Sequence, residues 1–341
     1  MSDSEIRALY TKRPCAQKIV INPEVSCVQS EPCNVTPCKK EKITLQNDVL
    51  EQQIVFEKKM PVDCPYTKSL ARLIWEPAIY FDYNKHDLTL TAKKRLNNNI
   101  RILSQFSQSS CIAIRGFTDN RGNHAYNQRL ADRRAISAMQ YLQNKGIDKN
   151  RIVISPVGET APLLPNKSEE NMAINRRVEM LLLDMFGQPV PFVILTKEIQ
   201  ALINQDMDKQ TFCEIWKNRV LWYPGIFFQI NHNRLKNQSE LKKLESNIQI
   251  LRKHPEFMIS IREFSSDNSH ENHAEKALER IQFATASFHQ NNIHHNRIQI
   301  VPPEETLVFQ RHNINQKTHP CVEMLLLNHR ARPFSVIVTL D

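Results

Sequence analysis

The stretch GFTDNRGNHAYNQRLADRRAISAMQYLQNKGIDKNRI (residues 116–152) decides the reading of this 341-residue chain. It opens on the end of a β-like run, CIAIRGF, and passes through a polar loop around Gly122. A long helix follows from about Ala125 to Lys145 and stops at Gly146, a residue suited to ending a helix. RIVISPV (151–157) then reads as a strand. Working outward, AIYFDY (78–83) is a strand, and the polar segment after it places Leu96, Ile100 and Leu103 at i, i+4 and i+7, a helical spacing. On the far side, a long loop leads to the strand RRVEMLLLD (176–184). The order β-α-β-α-β-β predicts an α+β fold with helices packed on one face of a mixed sheet.

The pattern occurs twice. Shifted by 147 residues, RLIWEPAIYFDYNKHDL (72–88) falls on RVLWYPGIFFQINHNRL (219–235), identical at seven of seventeen positions. NIRIL (99–103) falls on NIQIL (247–251), IAIRGF (112–117) on ISIREF (259–264), NRIVI (150–154) on NRIQI (296–300), and VEMLLL (178–183) on VEMLLL (322–327). The offset drifts only between 144 and 148, as small loop insertions would make it, so a tandem repeat is expected. Each copy is followed by a proline-containing β-like tail, PVPFVIL (189–195) and RPFSVIV (332–338), so the repeat unit extends past the domain proper. The expected organisation is an irregular, Cys-containing N-terminal segment over residues 1–71, a first domain over 72–195, a helical linker over 196–218, and a second domain over 219–341.

Within the first copy, Thr118-Asp119 with Gly122, then Tyr126-Asn127, Leu130 and Arg133-Arg134-Ala135, then Gly146-Ile147 with Arg151-Ile152, form an ordered motif set. YFDYN (80–84) precedes it, and GET (158–160) and NRRVEM (175–180) follow it. This set resembles the OmpA C-terminal family, shared with Pal and MotB-type proteins, across about 110 residues. The resemblance implies two tandem OmpA-like domains and non-catalytic binding of peptidoglycan. It further implies that Asp119 takes the ammonium of diaminopimelate in the stem peptide and that Arg134 takes a carboxylate. Asn127 and Asn84 would add hydrogen bonds, with Asn175, Arg176 and Arg177 as neighbours of the pocket.

The residues support that chemistry in their own right. A zwitterion bound from water needs one fixed anion and one fixed cation, preferably a guanidinium that grips a carboxylate with two bonds. Asn127 and Arg134 are seven apart and share a helix face, and Asp119 lies on the loop feeding that helix. The competing reading is that Asp119 and Arg134 form a structural ion pair that caps the helix. The second copy keeps apolar core positions such as Trp222, Phe228 and Ile261 and loses the pocket. Asp119 falls opposite Ser266 or Asp267, Gly116 opposite Glu263, Gly122 opposite Ser269, Asn127 opposite Ala274 or a neighbour, and 175–177 opposite His319-Pro320-Cys321. Arg134, opposite Arg280, and Asn84, opposite Asn231, survive. The expectation is a second domain that folds without binding ligand and contributes an interface.

A 41% hydrophobic and 24% charged composition describes a globular chain, and a net charge of +9 favours anionic partners. No apolar run approaches the roughly 18 residues of a membrane span. The first residues hold no apolar core of signal-peptide type, so export requires a signal that was removed or replaced; the alternative is a cytosolic protein. Cys15, Cys27, Cys33, Cys38 and Cys64 leave disulfides, free thiols and a metal site all open, although their spacing does not match tight zinc pairs. His270, His273, His289, His294 and His295 read as surface histidines rather than metal ligands. Lys85, Lys93, Lys94, Arg95 and Arg101 make a basic first helix without aromatic stacking residues, so nucleic acid is not an expected partner. No catalytic constellation and no cofactor motif stands out. The expected setting is the periplasm of a diderm bacterium, with peptidoglycan and envelope proteins as partners. The rival is a scaffold subunit in which both domains bind proteins only.

Overall fold

The computed structural model describes residues 74–105, 110–184, 187–194, 220–229, 232–264, 273–301, 320–333 and 335–338. The expected N-terminal segment, its cysteines, the helical linker and the boundaries at 195 and 219 lie outside them.

The first half runs β1 (Ile74–Trp75), β2 (Ala78–Tyr80), α1 (Leu90–Gln105), β3 (Ser110–Phe117), α2 (His124–Asn144), β4 (Ile152–Gly158), α3 (Glu169–Asn175), β5 (Arg177–Asp184) and β6 (Phe192–Ile194). Its sheet has the order β2-β5-β3-β4, with β4 parallel to β3 and β5 antiparallel to both β3 and β2. The mixed α+β class expected from the sequence is what forms. Helix α3 lies inside what was expected to be loop, started by Ser168, whose side chain accepts from Asn171 N. The buried stripe of α1 also differs from the expected Leu96, Ile100 and Leu103. It runs through Ala92, Leu96, Asn99 and Leu103, and Ile100 is only half-buried. Asn99 is fully buried because its amide accepts from Glu76 N at 2.7 Å and donates to Glu76 O at 2.9 Å, replacing the ladder bonds lost where the chain breaks between β1 and β2.

Helix α2 starts at the Asn123 cap and ends before Gly146, whose φ is +90°. It buries Leu130, Ala131, Ala135, Ala138 and Leu142 against the sheet. The small residues and Gly116 let helix and strand approach closely, since a Cβ on Gly116 would stand 2.1 Å from the Ala131 carbonyl oxygen.

The second half repeats this as β7 (Leu221–Trp222), β8 (Gly225–Phe227), α4 (Gln238–Lys253), β9 (Met258–Phe264), α5 (His273–Gln290), β10 (Ile298–Ile300), β11 (Cys321–Leu327) and β12 (Val336–Val338). Its sheet order, β10-β9-β11-β8, matches β4-β3-β5-β2 strand for strand. Single hydrogen bonds repeat as well. Trp75 Nε1 donates to Met180 O and Trp222 Nε1 to Met324 O, both at 3.1 Å. Asn247 serves Tyr223 as Asn99 serves Glu76. Arg134 Nε donates to Lys85 O and Arg280 Nε to His232 O, both at 2.9 Å.

The halves are joined in two ways that the repeat alone did not disclose. The tail strands are exchanged. In a third sheet of order β1-β12-β6-β7, β12 of the second copy pairs with β1 of the first, and β6 of the first pairs with β7 of the second. β6 and β12 run antiparallel at its centre, where Val193 faces Ile337, two residues that occupy the same position in the two copies. Beside this sheet, four buried charged side chains meet. Arg115 on β3 pairs with Glu323 on β11 at 2.7 Å, and Arg262 on β9 pairs with Glu323 at 2.8 Å and with Glu179 on β5. Arg177 also holds Glu179, at 2.8 Å. All are less than a tenth exposed, so each charge depends on its partners in place of water. Burial alone would raise the Glu179 carboxyl, but Arg262, Arg177 and Arg115 overcome it and hold the group at about 2.

Candidate functional site

The sequence-predicted site gathers at the N-terminal end of α2. β3 delivers Thr118 and Asp119 there, the turn after β2 delivers Asn84, whose φ is +55°, and the segment between α3 and β5 delivers Arg176. Asp119 is 4% exposed. Its carboxylate accepts from Arg121 Nη2 at 2.5 Å, Arg121 Nε at 3.2 Å, the Arg121 backbone N at 3.2 Å and Arg176 Nη1 at 3.0 Å. Burial would raise its carboxyl, and the bonds from Arg121 and Arg176 outweigh burial and leave it below the usual carboxylate range.

Arg134 is fully buried and does not bond Asp119. Its Nε donates to Lys85 O at 2.9 Å, Nη1 to Phe117 O at 2.8 Å and Nη2 to Asp82 O at 3.3 Å. Asp119 and Arg134 are thus both buried and do not stand exposed around an open pocket. The structure sinks them, because a helix this close to β3 carries Arg134 beneath the turn after β2, where three carbonyls need a donor. Burial lowers the Arg134 guanidinium to about 10, which still leaves it charged at neutral pH.

Asn127 lies two turns before Arg134 on the same face of α2, 1% exposed, and neither its Nδ2 nor its Oδ1 has a partner among the described residues. Tyr126 OH donates to Asn84 Oδ1. Asp119, Arg134, Asn127, Asn84 and Arg176 therefore converge. Asn175 and Arg177 turn to structural work. Asn175 accepts from Leu163 N and Leu164 N and donates to Leu164 O and Asn166 Oδ1, which pins the loop ahead of α3. Arg177 stacks on the Phe117 ring at 3.8 Å and donates to Ala161 O, besides pairing with Glu179.

Three participants were missed. Arg121 sits over Asp119 with its guanidinium 3.8 Å from the Tyr83 ring centroid, and Glu169 takes Arg121 Nη1 at 2.9 Å and Arg176 Nη1 at 2.8 Å. Arg121 was legible as one of the two variable residues of the TD-x-x-G loop. Tyr83 lay within the quoted YFDYN stretch without being singled out, and Glu169 carried no signal in sequence, being placed only by the fold.

The equivalent place in the second copy is closed from within. Glu263 takes the register of Gly116, as Val322 faces Glu263 where Val178 faces Gly116, and accepts from Arg280 Nη1 at 2.6 Å. Glu263 is 2% exposed. The guanidinium that would grip a carboxylate is thus already neutralised. Ser266, Asp267, Ser269, Asn231 and His319 lie outside the described residues.

With this geometry in view, comparison with known proteins gives one decisive match. Residues 80–176 match the OmpA family. That span holds every converging residue above. The chain is 36% identical over 110 residues to outer membrane protein A of Bordetella avium, covering 32% of this chain and 56% of that protein. It is 32% identical over 112 residues to the peptidoglycan-associated lipoprotein of Buchnera aphidicola subsp. Baizongia pistaciae, covering 33% and 64%. The chain thus spans less than two thirds of the length of these curated relatives. Among solved structures, it is similar to the peptidoglycan-associated lipoprotein from Burkholderia pseudomallei, at 24% identity and a TM-score of 0.31 over 36% of this chain and 99% of that one. Among the described residues, no helix is long and apolar enough to cross a membrane, and no group of three or more His, Cys, Asp or Glu side chains is placed to hold a metal ion.

Proposed function

We propose that the OmpA-like domain of the first copy binds peptidoglycan without catalysis, taking the ammonium of diaminopimelate at Asp119, and that the chain ties an envelope assembly to the cell wall from the periplasm. The observation that carries this reading is a buried carboxylate set among guanidiniums, next to an amide, Asn127, whose donor and acceptor are both unused. Buried polar groups are rarely left in that state, and a ligand with matched donors and acceptors would satisfy them. The family match, the names of the two curated relatives and the net charge of +9 support the same reading. The second copy, its pocket filled by Glu263 and Arg280, serves as a scaffold.

The test is co-sedimentation of the full chain with purified sacculi. The full chain is needed because β1 is paired by β12. Asp119→Asn should lose most binding while the chain still folds, with a lowered unfolding midpoint because the buried Arg176 guanidinium loses its counter-charge. Arg134→Ala is a poorer probe, since it strips a donor from three carbonyls and destabilises the fold as well.

A second reading is favoured by one observation: Asp119 is already occupied by Arg121 and Arg176, as in a structural ion cluster. In that reading both copies bind only proteins. A folded full chain that stays in the supernatant would establish it.

A further inference from the structure

The geometry points to Arg121 as a cation supplied by the chain itself, which holds the ammonium position at Asp119 and must swing out before ligand enters. This rests on the reading of the site as a peptidoglycan pocket and adds to it the residue that sets its affinity.

Two guanidiniums reach the Asp119 carboxylate, and they are not alike. Arg176 is built in: its side chain is 8% exposed, and its Nε is tied to Phe81 O at 3.2 Å. Arg121 comes from outside. Its side chain is 32% exposed, and its other contacts are to solvent-facing groups, the Tyr83 ring and the 58% exposed Glu169. Arg121 also makes three of the four hydrogen bonds to Asp119, so it commands the face of the carboxylate turned towards the mouth. A guanidinium on a carboxylate stands in chemically for the ammonium of an amino-acid ligand.

The loop turns on a glycine. Gly122, the next residue, has φ +110°, a conformation that glycine takes without strain. A Cβ at Gly122 would lie 3.5 Å from Asn127 Oδ1 and 3.7 Å from Nδ2, so the same loop roofs the unpartnered amide. Swinging Arg121 and Gly122 outward therefore uncovers the Asp119 carboxylate and the Asn127 donor and acceptor in one motion. Arg121, the outer partner of the ion pair that opposes this, is a third exposed, so water compensates part of its release. The closed state is then a modest competitor, and removing it should tighten binding about two- to fivefold.

The test uses the full chain and a diaminopimelate-containing muropeptide, titrated by calorimetry. Arg121→Gln should bind about two- to fivefold tighter than the unaltered chain. Glu169→Gln, which frees the outer end of Arg121, should shift binding in the same direction, and the double variant should gain little more than Arg121→Gln alone. On saturation of the unaltered chain, the Arg121 Nε–H NMR signal should move to the position of a solvent-exposed arginine. Equal or weaker binding by Arg121→Gln, with binding still abolished in Asp119→Asn, overturns the latch and leaves the pocket standing. An Arg121 signal that stays protected in the saturated complex overturns it too. No binding by any of these proteins, each shown to be folded, overturns the pocket and the latch together.

Discussion

At the scale of single residues, the two copies show how one position changes the fate of a site. Gly116 lets α2 lie against β3, and its counterpart Glu263 instead reaches Arg280. Gly116→Ala puts a methyl group where the Ala131 carbonyl stands, so α2 must retreat. The expected cost is about 1–3 kcal/mol, read as a lowered urea midpoint at unchanged slope. The carboxylates carry opposite pH signatures. Glu179, held at about 2 in the folded chain against an ordinary 4.5, is depressed. Its contribution is present above pH 4.5 and is lost as pH falls towards 2, for a loss of about 3 kcal/mol if it acted alone. Burial raises Glu263 despite Arg280, so its contribution is present at low pH and is lost as pH rises through the raised value. Denaturation across pH 2–7 should show an acid limb that flattens in Glu179→Gln. An unchanged limb would mean that another group governs it.

At the scale of elements, the exchanged tails matter more than their three-residue lengths imply. β12 is a middle strand, flanked by β1 and β6, and Ile337 faces both Ile74 and Val193. Proline cannot donate to a ladder and is not tolerated between two partners. Ile337→Pro should therefore cost about 1–3 kcal/mol for each backbone group it leaves unpaired. The effect should register in the first copy as well, as faster hydrogen exchange at the amides of β1, since β12 is the strand that holds it. Protection in β1 equal to that of the unaltered chain would show that β1 stands without the exchange.

At the scale of the whole molecule, the buried charges make the halves interdependent. Arg262 answers two glutamates, one from each copy. Arg262→Met removes the charge and leaves both acids buried, a change expected to cost about 3–5 kcal/mol. Because Glu179 belongs to the first copy and Glu323 to the second, the amides of β3 and β9 should lose protection by similar amounts. A loss confined to β9 would show the halves to be independent units. The unaltered chain should melt in a single transition for the same reason.

Much of this was written in the order of residues. The five collinear blocks set two copies of one topology, and IAIRGF and VEMLLL, apolar at most positions, mark strands buried on both faces, as β3 is throughout. The motif set also named residues that the fold brings together, since Asp119, Asn127 and Arg134 are placed by one helix and the loop that feeds it. What the sequence could not supply is the choice among partners. Arg115 faces Glu179 across β3 and β5, and Arg262 faces Glu323 across β9 and β11, so register alone pairs each arginine within its own copy. The structure instead sends Arg115 to Glu323 and has Arg262 bridge both acids. Likewise Asp119 bonds Arg121 and Arg176 in place of Arg134, which three carbonyls had already claimed. A charge shut away from water takes whichever counter-charge and donors the packing brings nearest. That neighbourhood is made by segments far apart in the chain, here by two copies whose tails cross, and so only the tertiary structure decides it.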